Sequence, residues 1–83
     1  MKLTIRYFAS VREAIGCGGE QIDSGAATIA ALREELVARG GAYAHSLAPA
    51  KAVRVAIDQV MSDESAPLAE GCEVAFFPPV TGG

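Results

Sequence analysis

Glu73-Val74-Ala75-Phe76-Phe77-Pro78-Pro79-Val80-Thr81-Gly82-Gly83 closes the sequence, and its two halves obey different rules. Through Phe77 the residues alternate, with Val74 and Phe76 to one side and Ala75 and Phe77 to the other. That is the period of a strand with two unlike faces. Pro78 and Pro79 cannot continue it inside a sheet, because neither supplies an N–H to a ladder. Gly82 and Gly83 have no side chain to bury, and two glycines in a row cost the most entropy to order. The segment 78–83 is therefore expected to leave the folded body at Pro78. At roughly 3.3 Å per extended residue it reaches on the order of 20 Å. With no Cβ on its last two residues, its carboxylate can pass down a channel too narrow for any other residue. The plain alternative is a frayed end.

Working outward, residues 2–8 alternate in the same way. Leu3, Ile5 and Tyr7 lie to one side, and Lys2, Thr4, Arg6 and Phe8 to the other. This predicts a second strand with one buried face. Ser10, with Glu13 three residues on, has the spacing of a capping box for a short helical turn that Gly16 stops. Gly18-Gly19 reads as a turn, and residues 20–24 as a weak strand around Ile22. Thr28 is expected to cap the one long helix, whose apolar stripe is Ile29, Leu32, Leu36 and Val37. Arg33, Glu34, Glu35 and Arg39 fall mostly off that stripe, and Gly40-Gly41 is expected to end it. Residues 43–47 suit a further short turn of helix before Pro49. Val53, Val55 and Ile57 alternate as a strand, Asp58-Gln59 reads as a hairpin turn, and Val60-Met61 as its short return.

The predicted order is five short strands with one main helix. That is too few crossover helices for a doubly wound parallel sheet. It predicts an α+β fold of the β-grasp type, a mixed five-stranded sheet with the helix on one face. The boundaries are a domain over 1–77 and a tail over 78–83.

Size and composition narrow the function. The chain has 83 residues, 51% apolar, enough for one small core. Seven basic against ten acidic residues give a net charge of −3, which argues against a nucleic-acid partner. No stretch approaches the length of a membrane span. The alternating, charged N-terminus does not read as a signal peptide, so the expected location is the cytoplasm. Cys17 and Cys72 are far apart with no CxxC, and in a reducing compartment they are expected to stay unpaired. With His45 the single histidine, there is almost no material for a metal site or a Cys-His dyad. Packing or a solvated loop is its expected setting, and no metal is expected.

Tyr7-Phe8-Ala9-Ser10-Val11-Arg12-Glu13, Asp63 through Pro67-Leu68, and Gly71-Cys72-Glu73-Val74-Ala75-Phe76-Phe77-Pro78-Pro79-Val80-Thr81-Gly82-Gly83 together closely resemble the small subunits of molybdopterin synthases. The resemblance covers the whole chain in length and element order, and the C-terminal run carries most of its specificity. It implies a ubiquitin-like fold that acts as a sulfur carrier. An E1-like enzyme, using ATP with Mg, would adenylate the Gly83 carboxylate, and sulfur would replace AMP to give a thiocarboxylate. The tail formed by Pro78, Pro79, Val80, Thr81 and Gly82 would thread into the large subunit. There Gly83 would donate sulfur to cyclic pyranopterin monophosphate, building the dithiolene of molybdopterin within a heterotetramer. The resemblance implies no cofactor on the chain itself.

The residues fit that chemistry on their own terms. A carboxylate is a poor acylating group until it is activated. A thiocarboxylate held in a threaded tail acts at very high local concentration. Nothing else in the sequence is a plausible catalyst. The alternation adds a docking surface. If Leu3, Ile5, Tyr7, Val53, Val55, Ile57, Val74 and Phe76 face the helix, then Arg6, Phe8, Arg54, Ala56, Ala75 and Phe77 share the opposite face. Phe8 and Phe77 on adjacent strands are expected to form one exposed patch for a partner, with Arg12 at its rim. Two other sulfur- or conjugation-type roles suit the same tail, namely a carrier for thiazole synthesis and a ubiquitin-like modifier joined to protein lysines. A plain binding module is the remainder.

Overall fold

The computed structural model describes residues 1–79. Strand β1 (Lys2–Tyr7) leads into helix α1 (Ala9–Ile15), then β2 (Gly19–Asp23), α2 (Ile29–Val37), α3 (Gly41–Leu47), β3 (Arg54–Ile57), β4 (Val60–Ser62) and β5 (Glu73–Phe77). The sheet order is β2-β1-β5-β3-β4. Among the described residues only β1 and β5 run parallel, with Ile5 beside Val74 and Tyr7 beside Phe76, and the other pairs are antiparallel. This is the predicted mixed five-stranded β-grasp arrangement, with two shorter helices accompanying the main one.

The alternation read from the sequence sets the core. Leu3, Ile5, Tyr7, Val55, Val74 and Phe76 are buried against Val11 of α1, Ile29, Leu32 and Leu36 of α2, and Leu47 of α3. Thr28 caps α2, accepting a hydrogen bond from the Ala31 N–H at 3.2 Å. Asp58 and Gln59 both take positive φ, the signature of a tight hairpin turn between β3 and β4. The Asp58 carboxylate accepts from the Glu73 N–H at 2.9 Å, which ties that turn to the start of β5.

Three local readings need correction. The strand stops at Tyr7, and Phe8 rather than Ser10 holds the cap position of α1. The Phe8 carbonyl accepts from the N–H groups of Val11 and Arg12, and no side chain caps the helix, so Ser10 falls inside the first turn. Helix α2 ends at Val37, with Ala38 as its still right-handed cap, and Gly40 at φ +76° instead holds the cap position before α3. Arg33, read as lying off the apolar stripe, is 5% exposed. Its guanidinium donates to the carbonyls of Leu47, Ala48 and Lys51 and pairs with Glu64 at 2.6 Å. Four partners offset the cost of burying the charge. One of them, the Leu47 carbonyl, lies in the last turn of α3, where intrahelical partners run out.

A second polar cluster joins β1, β2 and α3. The Glu20 carboxylate accepts from Tyr7 at 2.9 Å, Tyr43 at 2.8 Å and Arg39 at 2.8 Å. Burial pushes the Glu20 carboxyl up, but the hydrogen bonds from Arg39, Tyr43 and Tyr7 outweigh it and hold it below its ordinary value of 4.5. A lowered folded value means that this cluster stabilises fully above the unfolded value and loses its contribution as pH falls through the folded one. Glu20→Gln should therefore cost about 1 kcal/mol near neutrality and lower the melting temperature by about 4–8 °C. Melting curves across pH should show a constant gap from wild type above about pH 5, closing on acidification below the ordinary carboxylate range. A gap that widens in acid would contradict the assignment.

Candidate functional site

The end of the sheet where β1 and β5 finish together carries the candidate site. The Phe8 N–H donates to the Phe76 carbonyl at 3.1 Å, which extends the parallel pairing one residue past β1. Phe8 and Phe77 thus stand abreast on the face away from the helices. Phe8 is 43% exposed, and Phe77 is half-buried across the strand pair from Arg54. Phe76, one residue earlier, is fully buried on the other face and stacks on Tyr7 with ring centroids 6.4 Å apart.

The register of the hairpin adds a residue that the sequence reading did not place here. Met61 pairs with Ala56, Ala56 with Ala75, and Ala75 with Arg6, so these four form one row across the open face. Met61 is 60% exposed, while Ala56 and Ala75 lie buried between larger neighbours. The result is a shallow apolar hollow with an alanine floor, bounded by Phe8, Phe77 and Met61, with Arg6 and Glu73 on its wall. The signal for Met61 was available. A two-residue turn at Asp58-Gln59 fixes Ile57 opposite Val60, and hence Ala56 opposite Met61.

Charge surrounds this hollow unevenly. The Arg6 guanidinium lies 5.9 Å from the Phe8 ring centroid and 3.7 Å from Glu73. Arg12 comes close to Phe8 without joining Phe77. It lies over Gly18, and with Arg6 and Phe8 it lines a second hollow on the β2 side. Phe8 therefore separates two hollows, and the structure brings Phe8 and Phe77 together while setting Arg12 to one side. Among the described residues neither Arg12 nor Arg54 makes an ion pair.

Pro78 and Pro79 follow β5, half-buried and outside any strand. The remaining tail residues singled out by the sequence, Val80, Thr81, Gly82 and Gly83, lie outside the described residues. Cys17 is exposed and Cys72 is buried, both as free thiols, and His45 is exposed on α3. No helix among the described residues is long and apolar enough to cross a membrane. Among the same residues no cluster of His, Cys, Asp or Glu could hold a metal ion. Among the described residues this surface offers shape and apolar contact.

Comparisons with known proteins agree on one family. The model of the ThiS family matches residues 5–83. The molybdopterin synthase sulfur carrier subunit of Haemophilus influenzae is 41% identical, over 98% of this chain and 99% of that protein. The protein of the same name in Escherichia coli is 37% identical over the same shares. Among solved structures, a chain from the complex of subunits 1 and 2 of the molybdopterin-converting factor of Helicobacter pylori overlays with a TM-score of 0.70. It is 24% identical and the match covers 100% of both chains, a likeness of fold.

The opposite facing of the two phenylalanines separates their roles. Phe76→Ala should cost about 3–5 kcal/mol and lower the melting temperature by well over 10 °C. Phe77→Ala, half-exposed, should cost only about 1 kcal/mol. Calorimetric melting of both variants checks this, and the reverse order of stabilities would place the strand one residue out of register.

Proposed function

This chain belongs to the ThiS family, and from that premise we propose that it serves as the sulfur carrier subunit of a molybdopterin synthase. The observation that carries the reading is the near full-length identity to two carriers of that name. The geometry supports it, because an apolar patch of Phe8, Phe77 and Met61 stands at the root of a segment ending in Gly82-Gly83.

In this reading the chemistry takes place at Gly83. Its carboxylate attacks the α-phosphorus of ATP on an E1-like enzyme, with Mg, and releases pyrophosphate. A sulfur donor then displaces AMP, leaving a thiocarboxylate. The tail from Pro78 to Gly82 delivers that sulfur into the large subunit, to cyclic pyranopterin monophosphate, and hydrolysis returns the carboxylate. Two transfers complete one dithiolene, and the working assembly is a heterotetramer in the cytoplasm. The chain itself carries no cofactor. The acids, bases and oxyanion donors belong to the partner, so this subunit acts as a tethered substrate.

Each part of the proposed site has a distinct duty. Phe8, Phe77 and Met61 supply buried contact area, where a few apolar anchors carry most of the affinity. Arg12 and Arg6 at the edge set orientation and the rate of encounter more than its strength. The paired glycines keep the reactive end slim enough to thread.

Intact mass of Gly83 after incubation with the activating enzyme, ATP and a sulfur donor tests the reading. A gain of sulfur for oxygen supports it, whereas isopeptide adducts on other proteins with no sulfur gain would show a protein modifier. Addition of one residue after Gly83, or Gly82→Val, should leave the melting curve unchanged and abolish molybdopterin formation. Phe77→Ala should weaken the complex with the large subunit by on the order of 2 kcal/mol, about thirtyfold in Kd. Normal product formation by the extended chain, without trimming, would sink the reading.

A further inference from the structure

Strand β5 ends at Phe77, yet the chain stays against the body beyond it. Pro78 and Pro79 are both half-buried. The register explains their setting. Arg54 lies opposite Phe77 in the antiparallel pair of β3 and β5, so the next step places Val53 opposite Pro78. Alternation turns Phe76 to the helices, Phe77 away from them and Pro78 back toward them. Pro78 accordingly shares the wall of a hollow with Val11 and Ala14 of α1 and with Val53. Val11 is buried and Val53 packs against the core, so this wall belongs to the folded body.

The two rings also restrict the backbone. Each holds φ at about −65°, and the residue before a proline is pushed out of the helical region into an extended one. Phe77 precedes Pro78 and Pro78 precedes Pro79, so both are held extended. Neither proline has an N–H to donate, so the ladder with β3 ends while the chain keeps its course. A run of this kind acts as a stiff spacer rising about 3.1 Å per residue. Beyond it, residues 80–83 span at most about 13 Å at full extension.

We propose that Pro78 and Pro79 are positioning residues for sulfur transfer. Backed by Val53 and α1, they form a stiff stub that aims residues 80–83 along the line of β5, and the chain leaves the body after Pro79 rather than at Pro78. A partner then receives an arm already pointed at its channel. The ordering that threading requires is confined to the residues after the stub, which lowers the cost of association. The acceptor must bring its reacting atom within about 13 Å of Pro79. This rests on the sulfur-carrier reading, which supplies the partner, and adds which residues aim the tail and how deep the channel runs.

The test has two arms, both on the full chain. In the free protein, nuclear Overhauser contacts should join the Pro78 ring protons to the Val53 methyl groups, and their absence would remove the stub. Titration calorimetry against the large subunit of its own synthase then reads the consequence. Pro78→Ala with Pro79→Ala should raise Kd about fivefold, and Pro78→Gly with Pro79→Gly about twentyfold, as the backbone is freed in steps. In single-turnover sulfur transfer the loss should appear in the half-saturating concentration of the large subunit rather than in the rate at saturation. Prolines that only support the fold would lower the melting temperature and leave Kd alone, which would overturn the proposal. Equal losses in the alanine and glycine pairs would mark ring contacts with the partner and overturn it too. If wild type binds and both pairs bind equally well, the stub aims nothing and the carrier reading stands. If the wild-type chain does not bind the large subunit at all, both fall.

Discussion

The parallel pairing of β1 with β5 is the constraint on which the rest of this molecule depends. A parallel neighbour requires a crossover, and everything from α1 to β4 serves as that crossover. Because the two strands run the same way, they finish at the same edge of the sheet, with Phe8 abreast of Phe77. An antiparallel pairing would have carried Phe77 toward Lys2, at the opposite edge. The patch, the start of α1 and the departure of the tail would then lie on different parts of the surface. One hydrogen-bonding choice therefore gathers Phe8, Phe77 and the start of α1 at one end of the sheet.

The two faces of the sheet divide the work by side-chain size. Toward the helices stand Leu3, Ile5, Tyr7, Val74 and Phe76, all essentially inaccessible to water. Away from them the central row is alanine, Ala56 opposite Ala75, both below a tenth exposed even though no helix covers them. Taller neighbours at the edge shield them. On this face the exposed apolar area is thereby concentrated in Phe8, Phe77 and Met61 around a low floor, which suits a shallow interlocking contact better than a flat greasy sheet would.

Much of this was legible because strand periodicity is a two-residue rule with few exceptions. The buried faces of β1, β3 and β5, the Thr28 cap and the tight turn at Asp58-Gln59 all follow from alternation and turn chemistry. What escaped the reading depended on contacts remote in sequence. Ser10 has the composition of a cap, but β1 hands over directly at Phe8, and backbone continuity decides. Arg33 sits on a helix flank where an arginine is ordinarily solvated. Its burial is dictated by the 47–51 segment that folds over it, and nothing in the local pattern of α2 announces that. Met61 was placed in a strand but not on a face, because its partner Ala56 is too small to signal a cluster.

Arg33 bears on function through rigidity. Its four partners span the end of α3, the 48–51 loop and Glu64. They fix the segment that feeds β3 in beside β5, and so hold the edge of the sheet from which the tail departs. Association loses free energy whenever loops and side chains must be ordered at the moment of contact. In the proposed carrier cycle, recognition by an activating enzyme and then by a synthase would meet that cost twice. A buried guanidinium with all three nitrogens hydrogen-bonded settles it once, during folding.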